Sequence, residues 1–131
     1  MVDSHGNLLT VVVHGAQIQD YHGARLAFER LSQTHWPRLA EIWADAIYKG
    51  DKTLKDWVKA RFGWRLEVVV RDPNLKGFQA DPIRWVVERT FAWLGRQRRL
   101  SKDYELRSRS SETWIYIAMT GLMTRRLCLS N

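Results

Sequence analysis

Apolar and polar positions along this chain follow two periods, and each change of period marks an element. Residues 7–14, "NLLTVVVH", form a β-branched run of strand length. "DSHG" precedes it with the Asp, Ser and Gly content of a hairpin turn, and only Met1 and Val2 stand before that turn, so the pattern opens in mid-hairpin. In "DYHGARLAFERL", Ala24, Leu26, Ala27, Phe28 and Leu31 recur at helical spacing, which predicts a helix over 21–32 with Asp20 as its cap. Residues 39–48, "LAEIWADAIY", stay open. Alanine and leucine favour helix, whereas the short length and the flanking Pro37 and Gly50 suit a buried strand.

"DKTLKDWVKARFGW" has the pattern of an amphipathic helix, with Asp51 near its cap, Leu54, Trp57, Val58 and Phe62 on one face, and Gly63 as the stop. "RLEVVVRD" is a strand ending before Pro73, and "PNLKGFQADP" is a connecting loop. Pro82 suits the first turn of a long helix over 83–98. A last helix over 111–127 is apolar round most of its circumference and is expected to pack on the sheet. Strand, helix, strand, helix, strand is the alternation of an α/β fold, a sheet flanked by helices, with 39–48 read as the middle strand.

Composition narrows the class. The 131 residues, 45% hydrophobic, suffice for one domain with a core. Cys128 is the single cysteine, which excludes a disulfide framework and a multi-cysteine zinc site and fits a reducing cytoplasm. "WIYIAMTGLM", 114–123, falls short of the ~20 residues that span a bilayer, so no membrane partner is expected. Net charge is +7, and residues 84–131, with ten Lys/Arg against four Asp/Glu, hold +6 of it. Such a basic stretch marks contact with phosphate backbones or, equally, a solvated face.

Carboxylates are the candidate chemistry. "RWVVERTFAW", 84–93, carries Glu88 in an apolar and basic helix. At ~100° per residue, Val86, Thr90, Leu94, Val87 and Phe91 define one apolar arc, with Glu88 at its margin and room left by Gly95. The plain alternative is an Arg84–Glu88 pair on the helix surface, and geometry alone slightly favours it. Asp45 in "WADAIY" would lie near a strand's carboxyl end, where open α/β sheets place their sites and where converging carboxylates hold Mg²⁺. His5, His14, His22 and His35 show no ligand spacing, and most of the seven tryptophans have apolar helical neighbours that suit packing.

"VDSHGNLLTVVVHGAQIQDYHGA", "WADAIYKG" and "RWVVERTFAWLGRQRRLSKDYE" resemble, in order, successive blocks of the DDE transposases of bacterial insertion sequences, specifically the IS5 group of the IS4-like superfamily. The resemblance covers nearly the whole chain. It implies an RNase H-like mixed sheet and three acidic residues that bind two Mg²⁺ or Mn²⁺ ions for DNA cleavage and strand transfer. Asp45 matches the second aspartate and Glu88 the glutamate, with Arg84 as the arginine of the same block; Asp20 matches a recurrent aspartate of supporting role. Arg89, Arg96, Arg98, Arg99 and Lys102 would lie along DNA at the element's ends and target, with homo-oligomers an open option.

The chain departs from that pattern. Asp81 and Gly95 stand where a related signature has tyrosine and lysine, and the family's first catalytic aspartate lies on a strand upstream of the opening block, for which Asp3, in the turn, substitutes poorly. The resemblance thus implies a sheet incomplete at its amino-terminal end, with 83–127 as its basic helical part. It also implies weak or absent catalysis. The alternative is a non-catalytic basic DNA-binding or regulatory fragment that associates with full-length transposase.

Overall fold

The computed structural model describes residues 1–49, 52–69, 82–102 and 104–129. Asp51, Asp81 and most of the expected 73–82 loop lie outside the described residues. Helix α1 spans Asp20–Ser32 and buries Gly23, Phe28 and Leu31. Gln19 occupies its cap position without a side-chain hydrogen bond. Asp20 is therefore not the expected cap but the first helical residue, where its charge meets the positive end of the helix. Gly23 makes room for a neighbour, since a Cβ there would collide with His14 Nε2.

The open segment 39–48 divides in two. Strand β1, Glu41–Ala44, comes first, and a 3₁₀ turn, Ala46–Tyr48, follows it. A parallel partner overrides the helical propensity of the alanines: Arg65 N–H donates to Ala40 O at 2.8 Å and Val69 N–H to Ala44 O at 2.9 Å. Between them runs β2, Arg65–Val68, with Glu41 opposite Arg65 and Ala44 opposite Val68. Helix α2, Lys52–Phe62, forms the crossover, burying Leu54 and Val58 one turn apart and ending at Gly63, whose φ of 74° favours glycine. Phe28, Leu54, Val58 and Leu66 make the core of this half, and Trp57 meets Phe28 and Phe62 edge-on.

The expected strand over 7–14 does not form. The turn before it does, with Asp3 N–H donating to Asn7 O at 2.9 Å and Gly6 at a φ of 79°. Pairing stops at one antiparallel bridge, Val2 to Leu8, and the Met1 amino group donates to Thr10 O at 2.7 Å. Further on, side chains rather than a neighbouring strand serve the backbone: Val13 N–H donates to Glu112 Oε1 at 3.0 Å and Val11 N–H to the Tyr116 hydroxyl at 3.4 Å. The sheet among the described residues is accordingly two-stranded and parallel, flanked by helices, which places the chain in the α/β class.

Helix α3, Pro82–Gly95, starts at the expected proline and stops short of 98; a 3₁₀ turn, Arg98–Leu100, follows. Helix α4, Ser108–Leu129, is longer than expected and packs mainly on α3 and that turn rather than on the sheet. Its buried residues are Ser111, Glu112 and Met119, while Ile117, Leu127 and Leu129 are exposed. The apolar arc drawn for α3 is also displaced. Thr90 is buried and Val86, Arg89, Trp93 and Leu94 are partly covered, but Val87 and Phe91 are exposed. At ~100° per residue the covered arc centres about 170° from Glu88, so Glu88 stands on the solvent side and not at the margin of the core.

Candidate active site at the end of β1

Asp45 is the first residue beyond the carboxyl end of β1, the location from which an α/β sheet presents its site. Its backbone is extended, and its Oδ1 accepts from Ala46 N–H at 2.6 Å, so the carboxylate caps the 3₁₀ turn with one oxygen and leaves the other free of that bond. The turn closes through Tyr48 N–H to Asp45 O at 3.1 Å. It thereby carries Tyr48 back over the start of α1, where the phenol donates to the backbone oxygen of Asp20 at 3.3 Å. Burial raises the pKa of Tyr48, and the negative charges of Asp20 and Asp45 raise it further, so the phenol stays protonated.

Asp20 and Asp45 thus flank one phenol. Beside them lies a cavity of about 270 Å³ lined by His14, Asp20, Phe28, Ala44 and Tyr48. Tyr48 is a site residue that the sequence reading passed over. Its signal was its position three residues after Asp45, the reach of a single turn.

Glu88 is not brought to this place by any hydrogen bond or ion pair among the described residues. Its Oε1 lies 3.9 Å from Arg84 Nη2, with the glutamate side chain 57% exposed. That is the plain surface pair, long and open to water. Among the described residues, no group of three or more His, Cys, Asp or Glu side chains could hold a metal ion. The described side chains alone therefore do not make a three-carboxylate centre for a divalent metal.

The basic residues divide by environment. Arg96, Arg98 and Lys102 are exposed and have no ion pair among the described residues. Arg99 is engaged, with Nε and Nη2 donating to Glu105 Oε1 at 2.9 and 2.6 Å and its guanidinium 5.2 Å from the Trp114 ring centroid. Arg89 is half-buried: its Nη2 donates to His5 O at 3.1 Å and its guanidinium lies 4.8 Å from the Trp93 centroid. It joins the amino-terminal turn to α3.

A parallel βαβ unit with a carboxylate at its strand end is thus followed by a basic helical arm in an α/β protein. Residues 42–125 match the family described as the transposase DDE domain, nearly two thirds of the chain, and the chain belongs to that family. The matched span takes in Asp45, Glu88 and the basic arm and leaves out Asp20. No curated protein and no solved structure matches the chain. Membership implies DNA as the partner, and no helix among the described residues is long and apolar enough to cross a membrane.

Proposed function

We propose that this chain serves DNA transposition as the DNA-contacting part of an RNase H-like, IS5-type transposase catalytic domain, and that by itself it cuts DNA weakly or not at all. The observation that carries the reading is the different surroundings of its two matched carboxylates, which share no partner among the described residues. Asp45 caps a turn beside Asp20 and Tyr48, whereas Glu88 faces solvent next to Arg84. Mg²⁺ or Mn²⁺ shared by Asp45 and Glu88, which the resemblance implies, is expected to bind poorly to such an arrangement. Positive charge is differently placed. Arg96, Arg98 and Lys102 are exposed and without an ion pair among the described residues along the segment after α3, where they suit a phosphate backbone.

A strand-cleavage assay with Mg²⁺ or Mn²⁺ on terminal-repeat DNA tests the reading. The expected result is little or no cutting, equal in wild type and Asp45→Ala. Robust cutting that Asp45→Ala abolishes would overturn it. A second reading, a non-catalytic DNA-binding regulator that associates with a complete transposase, is favoured by the exposed apolar side chains Ile117, Leu127 and Leu129 of α4. It requires that a labelled transposase be retained by this chain in the absence of DNA.

A further inference from the structure

Where the amino-terminal turn meets α3 and α4, two guanidinium groups converge on one carbonyl. Arg89 Nη2 donates to His5 O at 3.1 Å and Arg126 Nη1 to the same oxygen at 3.4 Å. Both rest on Trp93, with guanidinium carbons 4.8 and 4.2 Å from its ring centroid, and Arg126 Nη1 also donates to Asn7 Oδ1 at 2.8 Å. Neither arginine has a carboxylate partner among the described residues. The Nε of Arg89 is buried without an acceptor, so its charge is not compensated from that side either.

Two like charges held together by neutral acceptors leave a concentrated positive potential, because a carbonyl and an amide oxygen offset far less than a carboxylate would. The depression in front of them is lined by Ser4, His5, Asn7, Arg89, Met123 and Arg126. Asn7 is occupied, its Oδ1 accepting from Arg126 and its Nδ2 donating to Asp3 Oδ2 at 2.9 Å, which leaves the Ser4 hydroxyl and the His5 imidazole as further donors beside the guanidinium pair. This is a donor set for a tetrahedral oxyanion, and planar guanidiniums are the groups best matched to phosphate.

We propose that Arg89 and Arg126, mounted on Trp93 and rimmed by Ser4 and His5, form a binding site for a phosphate oxyanion. The site rests on this geometry alone. That the phosphate comes from a DNA backbone rests on the function proposed above.

The test is a titration of the intact chain with inorganic phosphate at constant ionic strength, following the Trp93 indole N–H resonance. A saturable shift is expected, with apparent affinity roughly tenfold weaker in Arg126→Lys, which keeps the charge and loses the planar fork. Arg89→Lys is the companion variant, read if Arg126→Lys departs from the wild-type circular dichroism spectrum. A parallel titration with a short DNA duplex separates the sources. A shift of the same resonance, together with a log–log salt slope lowered by about 1 in Arg126→Gln, supports a backbone phosphate. A response to phosphate without one to DNA supports a free phosphate ligand at the same site. No saturable response in wild type, or an identical response to chloride, overturns the proposal. Loss of DNA binding with the phosphate response intact would instead count against the proposed function.

Discussion

The βαβ half and the helical half of this molecule hold together by different physics. Around β1 and β2, apolar side chains from three elements meet: Phe28 of α1, Leu54 and Val58 of α2 and Leu66 of β2. Around α3 and α4, beside the buried Met119, the contacts that tie the elements together are polar or cationic. Glu112, with its side chain 10% exposed, takes Val13 N–H on one oxygen and Arg30 Nη1 on the other at 3.3 Å; Thr90 donates to Val86 O; and the two arginines clasp His5 O. Meanwhile Phe91, Ile117 and Leu127 face water. Hydrophobic burial is non-directional and forgiving, whereas a polar clasp depends on every partner being present. The first half also carries the Glu41–Arg65 and Lys55–Glu67 pairs, but these are surface pairs that contribute little, so its stability should depend on salt less than that of the second.

The largest effect should come from the apolar side. Leu54→Ala leaves a cavity in a fully packed position and is expected to cost ~2 to 5 kcal/mol in chemical denaturation. A loss below ~1 kcal/mol would show that the core is looser than this comparison holds. Glu112→Gln should come next, at ~1 to 3 kcal/mol, because Arg30 loses its counter-charge while the amide can still accept from Val13. Hydrogen exchange should then rise at Val13 and along the start of α4 but not at Leu66.

The turn at Asp3 should respond to acid. Partial burial alone would raise the Asp3 pKa, but hydrogen bonds from the backbone and side chain of Asn7 and from His5 N–H, with the charge of His5, outweigh it and hold the carboxyl below its ordinary value. A depressed carboxylate stabilises the fold above its unfolded pKa of ~3.9, and that contribution disappears as pH falls through the lower folded value. Wild type and Asp3→Asn should differ in stability at neutral pH and converge in strong acid. A constant difference across that range would contradict the assignment. The smallest effect is reserved for Glu88→Gln, expected within ~0.5 kcal/mol of wild type, since a 3.9 Å pair this exposed contributes little.

The same contrast explains how much could be read from residues alone. Helices α1 and α2 and strand β2 were readable because Phe28 and Leu31, or Leu54 and Val58, repeat at the period of the surface that they bury. Segment 39–48 needed its partner, since only the ladder to β2 distinguishes strand from helix there. The 7–14 run has strand composition, but among the described residues its backbone meets only Met1, Val2 and Asp3 before side chains take over its hydrogen bonds, and composition cannot supply a neighbour. In α3 the apolar positions go most of the way round, so periodicity gave a face displaced from the one that Thr90 and Trp93 cover.

The candidate site was readable to the same extent. Asp45 stands at a strand end as expected, because the position follows from the strand itself. Its pairing with Asp20 through Tyr48 depends on a chain reversal that no local pattern encodes. The convergence of Arg89 and Arg126 on His5, 84 and 121 positions apart from it in sequence, is a tertiary event of the same kind.

DNA binding as a function of salt bears most directly on the central claim, that this chain meets DNA through its free basic arm and not through a Glu88-centred catalytic site. Wild type is expected to weaken linearly in a log–log plot. Joint replacement Arg98→Gln and Lys102→Gln should lower the slope by about 2, while Glu88→Gln leaves it unchanged. Binding that is indifferent to salt, or that depends on Glu88 and not on the two cations, would contradict the account.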